Sequence, residues 1–278
     1  MNRIILSTFL SLVFVALVNA QKLEKIKGNK NVTTEQTTIP PFNKIIVGDD
    51  FDIELVESSD TSVDIETDEN LHEVIKFEVK DSTLLFSFTH NITSKRRLNI
   101  TVKYDNNLQY LEALDNGVIR SRAPMDLEKV NLKTFGASKA YLTIKANDFK
   151  MLGGGRSKTK LNLTALNTKL ELSDNTYLIA LINSDNFTTD LYQRADAVIE
   201  GTCKEALIRT DNSSQFKGKD FTINNCKAIC EIGSDAFLEV LTDITLELSG
   251  SSAIYLYGNP KITVSKFADS AKLQKRAK

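Results

Sequence analysis

The sequence predicts an all-β chain wound as a right-handed parallel β-helix, a solenoid of roughly 19-residue coils. Three observations lead there. From Phe42 onward, apolar and polar residues alternate at period two in one short run after another. Small-residue turns interrupt those runs at a nearly constant interval beyond residue 110. The one segment with a helical look, ENLHEVIKF at 69–77, is too short to be more than a turn of helix.

At the N-terminus, Arg3 precedes an apolar run from Ile4 to Val18 and a small-residue site, Val-Asn-Ala, ahead of Gln21. That is the layout of a secretory signal peptide over 1–20, cleaved between Ala20 and Gln21. The run falls short of the about 20 residues that a bilayer span needs. No Cys follows the site to carry a lipid anchor, and nothing later is long and apolar enough to be a transmembrane segment. The expected product is a soluble exported chain of about 258 residues, in the periplasm or at the cell surface.

Residues 21–40 are polar and aperiodic and read as a loose lead-in. Residues 41–278 read as a single β-helix domain. Within it, 41–110 hold the longer strands IIV, FDIELVE, SVDIET, IKFEV, TLLFSF, RLNITVKY and LQYLEAL, which form wider first coils or a sheet-like cap. A solenoid needs such a closure, because an open coil leaves an unpaired edge.

From 111 to 278 the coils become regular. Aligning the turns puts Ala140 in one column with Thr159, Tyr177, Ala197, Gln215, Ala236, Ala253 and Ala271, at intervals of 19, 18, 20, 18, 21, 17 and 18 residues. Three strands of three to five residues with three bends fill such a period. Each coil then returns one strand spacing, about 4.8 Å, above the last. A leucine-rich repeat has a similar period but needs a Leu/Asn ladder that is absent. An antiparallel sandwich, the next-best fold, predicts no fixed period. In LELSGSSAIYLYGNPKITV (246–264), Gly-Ser-Ser and Gly-Asn-Pro are corners. Leu246, Leu248, Ile254, Leu256, Ile262 and Val264 point inward, and Glu247, Tyr255, Tyr257 and Thr263 point out.

The phrase SSAIYLYGNPKITVSKFADSAKLQKR (251–276) resembles the close of a bacterial family common in Bacteroidota, the auto-transporter adhesins with a head GIN domain. The segment PFNKIIVGDDFDIELVESSDTSVDIETDENLHEVIKFEVKDSTLLFSF (41–88) is similar to the same family's opening. The resemblance spans about residues 40–275 and departs in the middle, where the Ser-Gly-Ala turns are replaced by RSKT, SDNT and RADA. It implies a β-helix fold and an adhesion protein of the cell envelope.

Chemistry is sparse. Asp196, Asp235 and Asp269 fall near one corner, and paired carboxylates there would suit glycoside cleavage or Ca²⁺. Lys139, Lys158, Thr176 and Ser214 interrupt that column, however, and Asp serves turns for its own hydrogen bonds. GGGRSK (153–158) lacks the Lys-Ser/Thr ending and the following helix of a phosphate loop. The only histidines are His72 and His90, which leaves neither a nucleophile–His pairing nor the ligand set of a zinc site around Cys203, Cys226 and Cys230. No catalytic residue, cofactor site or metal site is therefore expected. Tyr255 and Tyr257 are the candidate ligand-facing aromatics. Cys203 and Cys226, placed on adjacent rungs, are the candidate disulfide, with Cys230 left over.

Lysine plus arginine number 35 and aspartate plus glutamate 36, a balance that excludes a nucleic-acid partner. The basic residues of the last eighteen (Lys261, Lys266, Lys272, Lys275, Arg276 and Lys278) read as a solvated end. The functional expectation is an exported, non-catalytic envelope β-helix that presents a flat side to a surface glycan or protein. A carbohydrate-active lyase or hydrolase, or a purely structural envelope component, is the alternative.

Overall fold

The computed structural model describes residues 23–277. The expected signal peptide, with Ala20 and Gln21 at its cleavage site, lies outside the described residues. The chain enters through β1 (Lys25–Lys27) and β2 (Val32–Thr38), then lays down β3 (Lys44–Val47) and β4 (Asp52–Glu57). It does not climb directly from there. β5 (Ser62–Asp68), a 3-10 turn at Glu69–Val74, β6 (Ile75–Lys80), β7 (Thr83–Phe88), β8 (Asn91–Ser94) and β9 (Leu98–Tyr104) first build the end of the stack. β7 pairs parallel with β3, and β9 with β4. β10 (Tyr110–Ala113) and β11 (Val118–Ser121) pair with the opposite edges of β3 and β4. The first coil in sequence is thus the second in space.

The cap expected near the N-terminus is present and is antiparallel. β5 pairs antiparallel with β9, β2 with β5, and β6 with β7. Leu71 and Val74 of the 3-10 turn are buried within it. Buried Asp68 accepts the backbone N–H groups of Lys30 and Arg96, holding the entering chain to the loop before β9. One expectation is corrected. Residues 32–38, assigned to a loose lead-in, form β2 in register with 62–68. VTTEQTT carries no apolar face because β2 is an outer strand, paired with β5 and exposed from Thr34 to Thr38, and its threonines suit an extended backbone.

Beyond β12 (Met125–Asp126) and β13 (Lys129–Thr134) come the full coils: β14 (Lys139–Gly153), β15 (Lys158–Leu172), β16 (Tyr177–Leu191), β17 (Asp196–Thr210), β18 (Gln215–Cys230) and β19 (Asp235–Leu248). The last rung is β20 (Ala253–Tyr257), β21 (Lys261–Phe267) and β22 (Lys272–Lys275). Every pairing among β10–β22 is parallel. A coil has two straight segments, such as 139–146 and 148–153, where three shorter strands were expected. Consecutive exposed residues (Asn147 and Asp148, Leu166 and Asn167) break the alternation at the corner between them.

One inner column crosses the molecule: Ile100, Ile53, Ile119, Ala140, Thr159, Leu178, Ala197, Phe216, Ala236, Ile254 and Leu273. From Ala140 its intervals are 19, 19, 19, 19, 20, 18 and 19 residues. The repeat is more regular than the turn alignment suggested. Tyr177, Gln215 and Ala253 precede the true column members by one residue, and Ala271 by two.

Two turn columns explain why the sequence turns where it does. The second turn position holds a left-handed residue in each coil: Asp115, Gly136, Gly155, Asp174, Gln193, Asn212, Ile232, Gly250 and Asp269. Glycine, Asp and Asn tolerate that conformation best. The fourth position is small and buried: Ser138, Ser157, Thr176, Ala195, Ser214, Ser234 and Ser252. There the Ser214, Ser234 and Ser252 hydroxyls donate to carbonyls of the preceding coil at 2.9–3.0 Å. Ile232 is the misfit, since a β-branched residue at φ 44° is strained. Ile232→Gly is expected to stabilise the protein by about 1 kcal/mol, the left-handed penalty less the glycine entropy cost. A rise in the urea midpoint at constant slope checks it, and a fall contradicts it.

A second correction concerns the far end. Ile262 stacks on Ile244 and Val264 on Leu246, as inward residues should. They are nonetheless 44% and 49% exposed, because among the described residues no coil follows to cover them.

Candidate functional site

The long segment of each coil turns its odd positions outward, and stacking lines them up as columns on a flat face. In the middle of that face Tyr177, Ile179 and Leu181 of β16 project side by side, 36%, 39% and 43% exposed. Parallel register sets Lys158, Lys160 and Asn162 beside them on one neighbour and Asp196, Val198 and Glu200 on the other. A shallow depression of about 370 Å³, lined by Tyr141, Thr143, Lys160, Asn162 and Ile179 among others, adjoins the stripe. An apolar strip between lysine, asparagine and carboxylate groups can take the apolar face of a ligand while the rims hydrogen-bond its polar groups.

The sequence-level aromatics sit nearer the C-terminal end of the same face. Tyr255 stacks on Phe237 with ring centroids 4.4 Å apart and planes 11° from parallel. The Arg276 guanidinium lies 5.2 Å from the Tyr255 ring centroid. With two neighbours on it, Tyr255 has less ring area to offer than Tyr177. Tyr257 stands beside Glu239 on the next coil.

At the N-terminal end a groove of about 550 Å³ is lined by Asp52, Glu54, Asp64, Glu66, Arg120 and Arg122 together with Thr34 and residues 98–101. Its charges are paired. Arg120 grips Asp52 through two bonds of 2.9 and 3.0 Å, Arg122 meets Glu54 at 3.1 Å, and Lys103 meets Asp64 at 2.9 Å. Arg97 pairs with Glu66, and its hydrogen bond, with one from Asn99, holds that carboxyl below the usual carboxylate range. Sequence reasoning missed this groove. Its only signal is Asp-x-Glu at 52–54 and Arg-x-Arg at 120–122, two like-charged pairs of opposite sign far apart in the chain.

The three aspartates do not converge. Asp196 and Asp235 share a column with Gln215 between them, two rungs or about 9.6 Å apart. Asp196 is held by Lys217 at 2.5 Å, while burial raises the Asp235 pKa. Asp269 occupies the turn column and accepts the Gly250 N–H at 2.9 Å, as Asp174 accepts that of Gly155 at 2.7 Å. GGGRSK is likewise a corner: Gly155 takes φ +70°, and a Cβ on it would lie 2.9 Å from the Gly136 backbone. Among the described residues no group of three His, Cys, Asp or Glu has the geometry to hold a metal ion.

The expected register of the cysteines does not occur. Cys203 lies beside Ile223 and Cys226 beside Ala206, because the two fall on opposite sides of a coil corner. All three thiols are free and buried. Burial pushes Cys203 and Cys230 up to about 12, and raises Cys226 as well. Thiols so raised stay protonated and unreactive at neutral pH. Without reductant, iodoacetamide is expected to label none of them in the native protein and all three after unfolding. Fewer than three in denaturant would reveal a bond that the structure lacks.

The class is that of a parallel β-solenoid with an antiparallel cap and an outward apolar stripe on its long face. The chain belongs to the family described as Putative auto-transporter adhesin, head GIN domain, whose model matches residues 41–161 and 149–260. Solved structures share the fold. A putative adhesin from Parabacteroides merdae is 14% identical with a TM-score of 0.69, the match covering 91% of this chain and 99% of that one. A putative adhesin from Parabacteroides distasonis is 16% identical at 0.60, over 90% and 100% of the two chains. A putative lipid binding protein from the same species is 18% identical at 0.58, over 91% and 100%. Comparison with curated proteins finds no matching relative.

Proposed function

We propose that this is an exported, non-catalytic solenoid of the cell envelope, and that its long face binds a glycan or protein on a surface. One observation carries the reading: the contiguous exposed stripe Tyr177, Ile179 and Leu181 near the centre of the long face, flanked by Lys158, Lys160, Asp196 and Glu200. Folding gains nothing from exposing three large apolar side chains in a row, whereas a binding surface does. Membership of an adhesin-like family supports the same reading, as does the separation of Asp196 from Asp235 by an intervening coil. No helix among the described residues is long and apolar enough to cross a membrane. On this reading the protein works in the periplasm or outside the cell, held at the envelope by what it binds.

The test is a glycan array probed with the protein and with the triple variant Tyr177→Ser, Ile179→Ser and Leu181→Ser. These side chains are exposed, so the variant keeps its fold, which far-UV dichroism verifies. Binding weakened by about tenfold or more is expected. Binding unchanged in the triple variant but lost in Arg122→Ala would move the site to the N-terminal groove and overturn the reading.

A further inference from the structure

The two ends of the solenoid are finished differently. The N-terminal end is closed by antiparallel strands and the 3-10 turn. At the other end the inner columns stop at β21, where Ile262, Val264 and Phe267 lie 44%, 49% and 52% exposed. β21 pairs with β19 alone, so its second edge has no strand partner among the described residues. An edge that joins unpaired backbone groups to an uncovered apolar row is a template for another strand.

Charge decides which strand. The terminal rung carries Lys261, Lys266, Lys272, Lys275 and Arg276 against one carboxylate of its own, Asp269, with Lys266 also paired to Glu231 of an earlier coil at 3.3 Å, in a chain whose overall net charge is −1. A second copy docked end to end would bring these cations against their own kind. The β22 half of the rung is further guarded by Lys275, which stands in the inner column over Leu256. An inward-pointing lysine on an edge strand deters pairing there. The β21 half has no such guard: apolar residues stand over Ile244, Leu246 and Leu248. Its bulge at Ser265 restricts regular pairing to the stretch Lys261–Val264.

We propose that the free edge of β21 is a strand-acceptor site, which takes an extended segment of a partner protein alternating apolar and acidic residues. The apolar residues of that segment cover Ile262 and Val264 while its carboxylates meet the lysines of the rung. This proposal stands on the terminal rung alone and is independent of the long-face reading.

The experiment uses the exported chain and a short fluorescent peptide alternating valine and glutamate, with an analogue N-methylated at alternate residues as control. Saturable binding is expected for the peptide only, because N-methylation keeps charge and side chains but blocks the ladder. Slowed hydrogen exchange at 261–264 on binding is the accompanying signature. Val264→Glu, at an exposed position, is expected to weaken binding by about tenfold or more, and Ile262→Thr to weaken it less. No saturable binding, equal binding of the methylated analogue, or indifference to Val264→Glu overturns the proposal. So does association with phosphatidylglycerol vesicles, or into end-to-end dimers, in place of the peptide.

Discussion

Phe221→Ala is expected to destabilise the protein by about 3–5 kcal/mol, the cost of emptying a fully buried phenylalanine site. The expectation is at the upper end because the site cannot collapse. Phe221 meets Phe187 edge-on at 5.1 Å and Phe216 at 6.5 Å, and all three rings are fully buried. Phe187 belongs to β16 and both Phe216 and Phe221 to β18, so the cluster ties together two coils separated by β17. Its energy is shared: the double variant Phe187→Ala with Phe221→Ala should fall short of additivity by about 0.5–1.5 kcal/mol. Guanidinium unfolding read by midpoint and slope measures both numbers. A loss below about 1 kcal/mol would mean that the rings do not pack as described.

Gly201→Ala should be nearly as costly, although it adds a single carbon. In the inner column Gly201 lies between Ile182 and Phe221, with φ at +112°, which side chains other than hydrogen rarely adopt. A Cβ there would stand 2.1 Å from the Ile182 carbonyl oxygen, a backbone atom that no rotamer change can move. Alanine removes unfolded-state entropy worth about 0.4–1 kcal/mol. Against that stand about 1–2 kcal/mol of backbone strain and about 1–3 kcal/mol of overpacking. The unfavourable effects win, for a net loss of about 2–4 kcal/mol in the same unfolding experiment. Gly250→Asn should cost less, because Asp and Asn fill that turn position in other coils and a Cβ there would lie 3.1 Å from the nearest backbone atom, Ile232 N.

Much of this architecture was legible because turns constrain chemistry more tightly than strands do. The left-handed position admits few residues, so Gly136, Gly155, Asp174, Asn212 and Gly250 mark the period by type. The register was legible only to within one or two residues. Small residues occupy both the buried turn position (Ser157, Ser252) and, in some coils, the first inward position two residues later (Ala140, Ala197, Ala236). Where only one of the two is small, an alignment on small residues slides, as at Tyr177 and Ala253. The inverted order of the first coils left no trace, because residues 83–104 and 44–57 are stacked neighbours without being consecutive repeats. Ile262 and Val264 show the limit of pattern reading. Their alternation correctly names the inner column, and only the end of the stack decides that they meet water.

The candidate site was less legible for a related reason. The outward stripe draws Tyr177, Ile179 and Leu181 from one strand whose inward residues, Leu178, Ala180 and Ile182, are also apolar. The alternation that separates the two faces is therefore lost in YLIALI. Tyr255 and Tyr257 stood out because they alternate with Ile254 and Leu256 as aromatic against aliphatic. The N-terminal groove depends on pairs 68 residues apart, Asp52 with Arg120 and Glu54 with Arg122. Such pairs meet only because coils stack.

The claim that this face binds without reacting is tested most directly by incubating the purified protein with pectin-, mannan- and glucan-type polysaccharides and following reducing ends and unsaturated products with time. The expected trace is flat for the protein and for Asp196→Ala and Asp235→Ala alike. Product that accumulates with the protein and is abolished by either substitution would contradict it, and would make the Asp196–Asp235 column the centre of an enzyme.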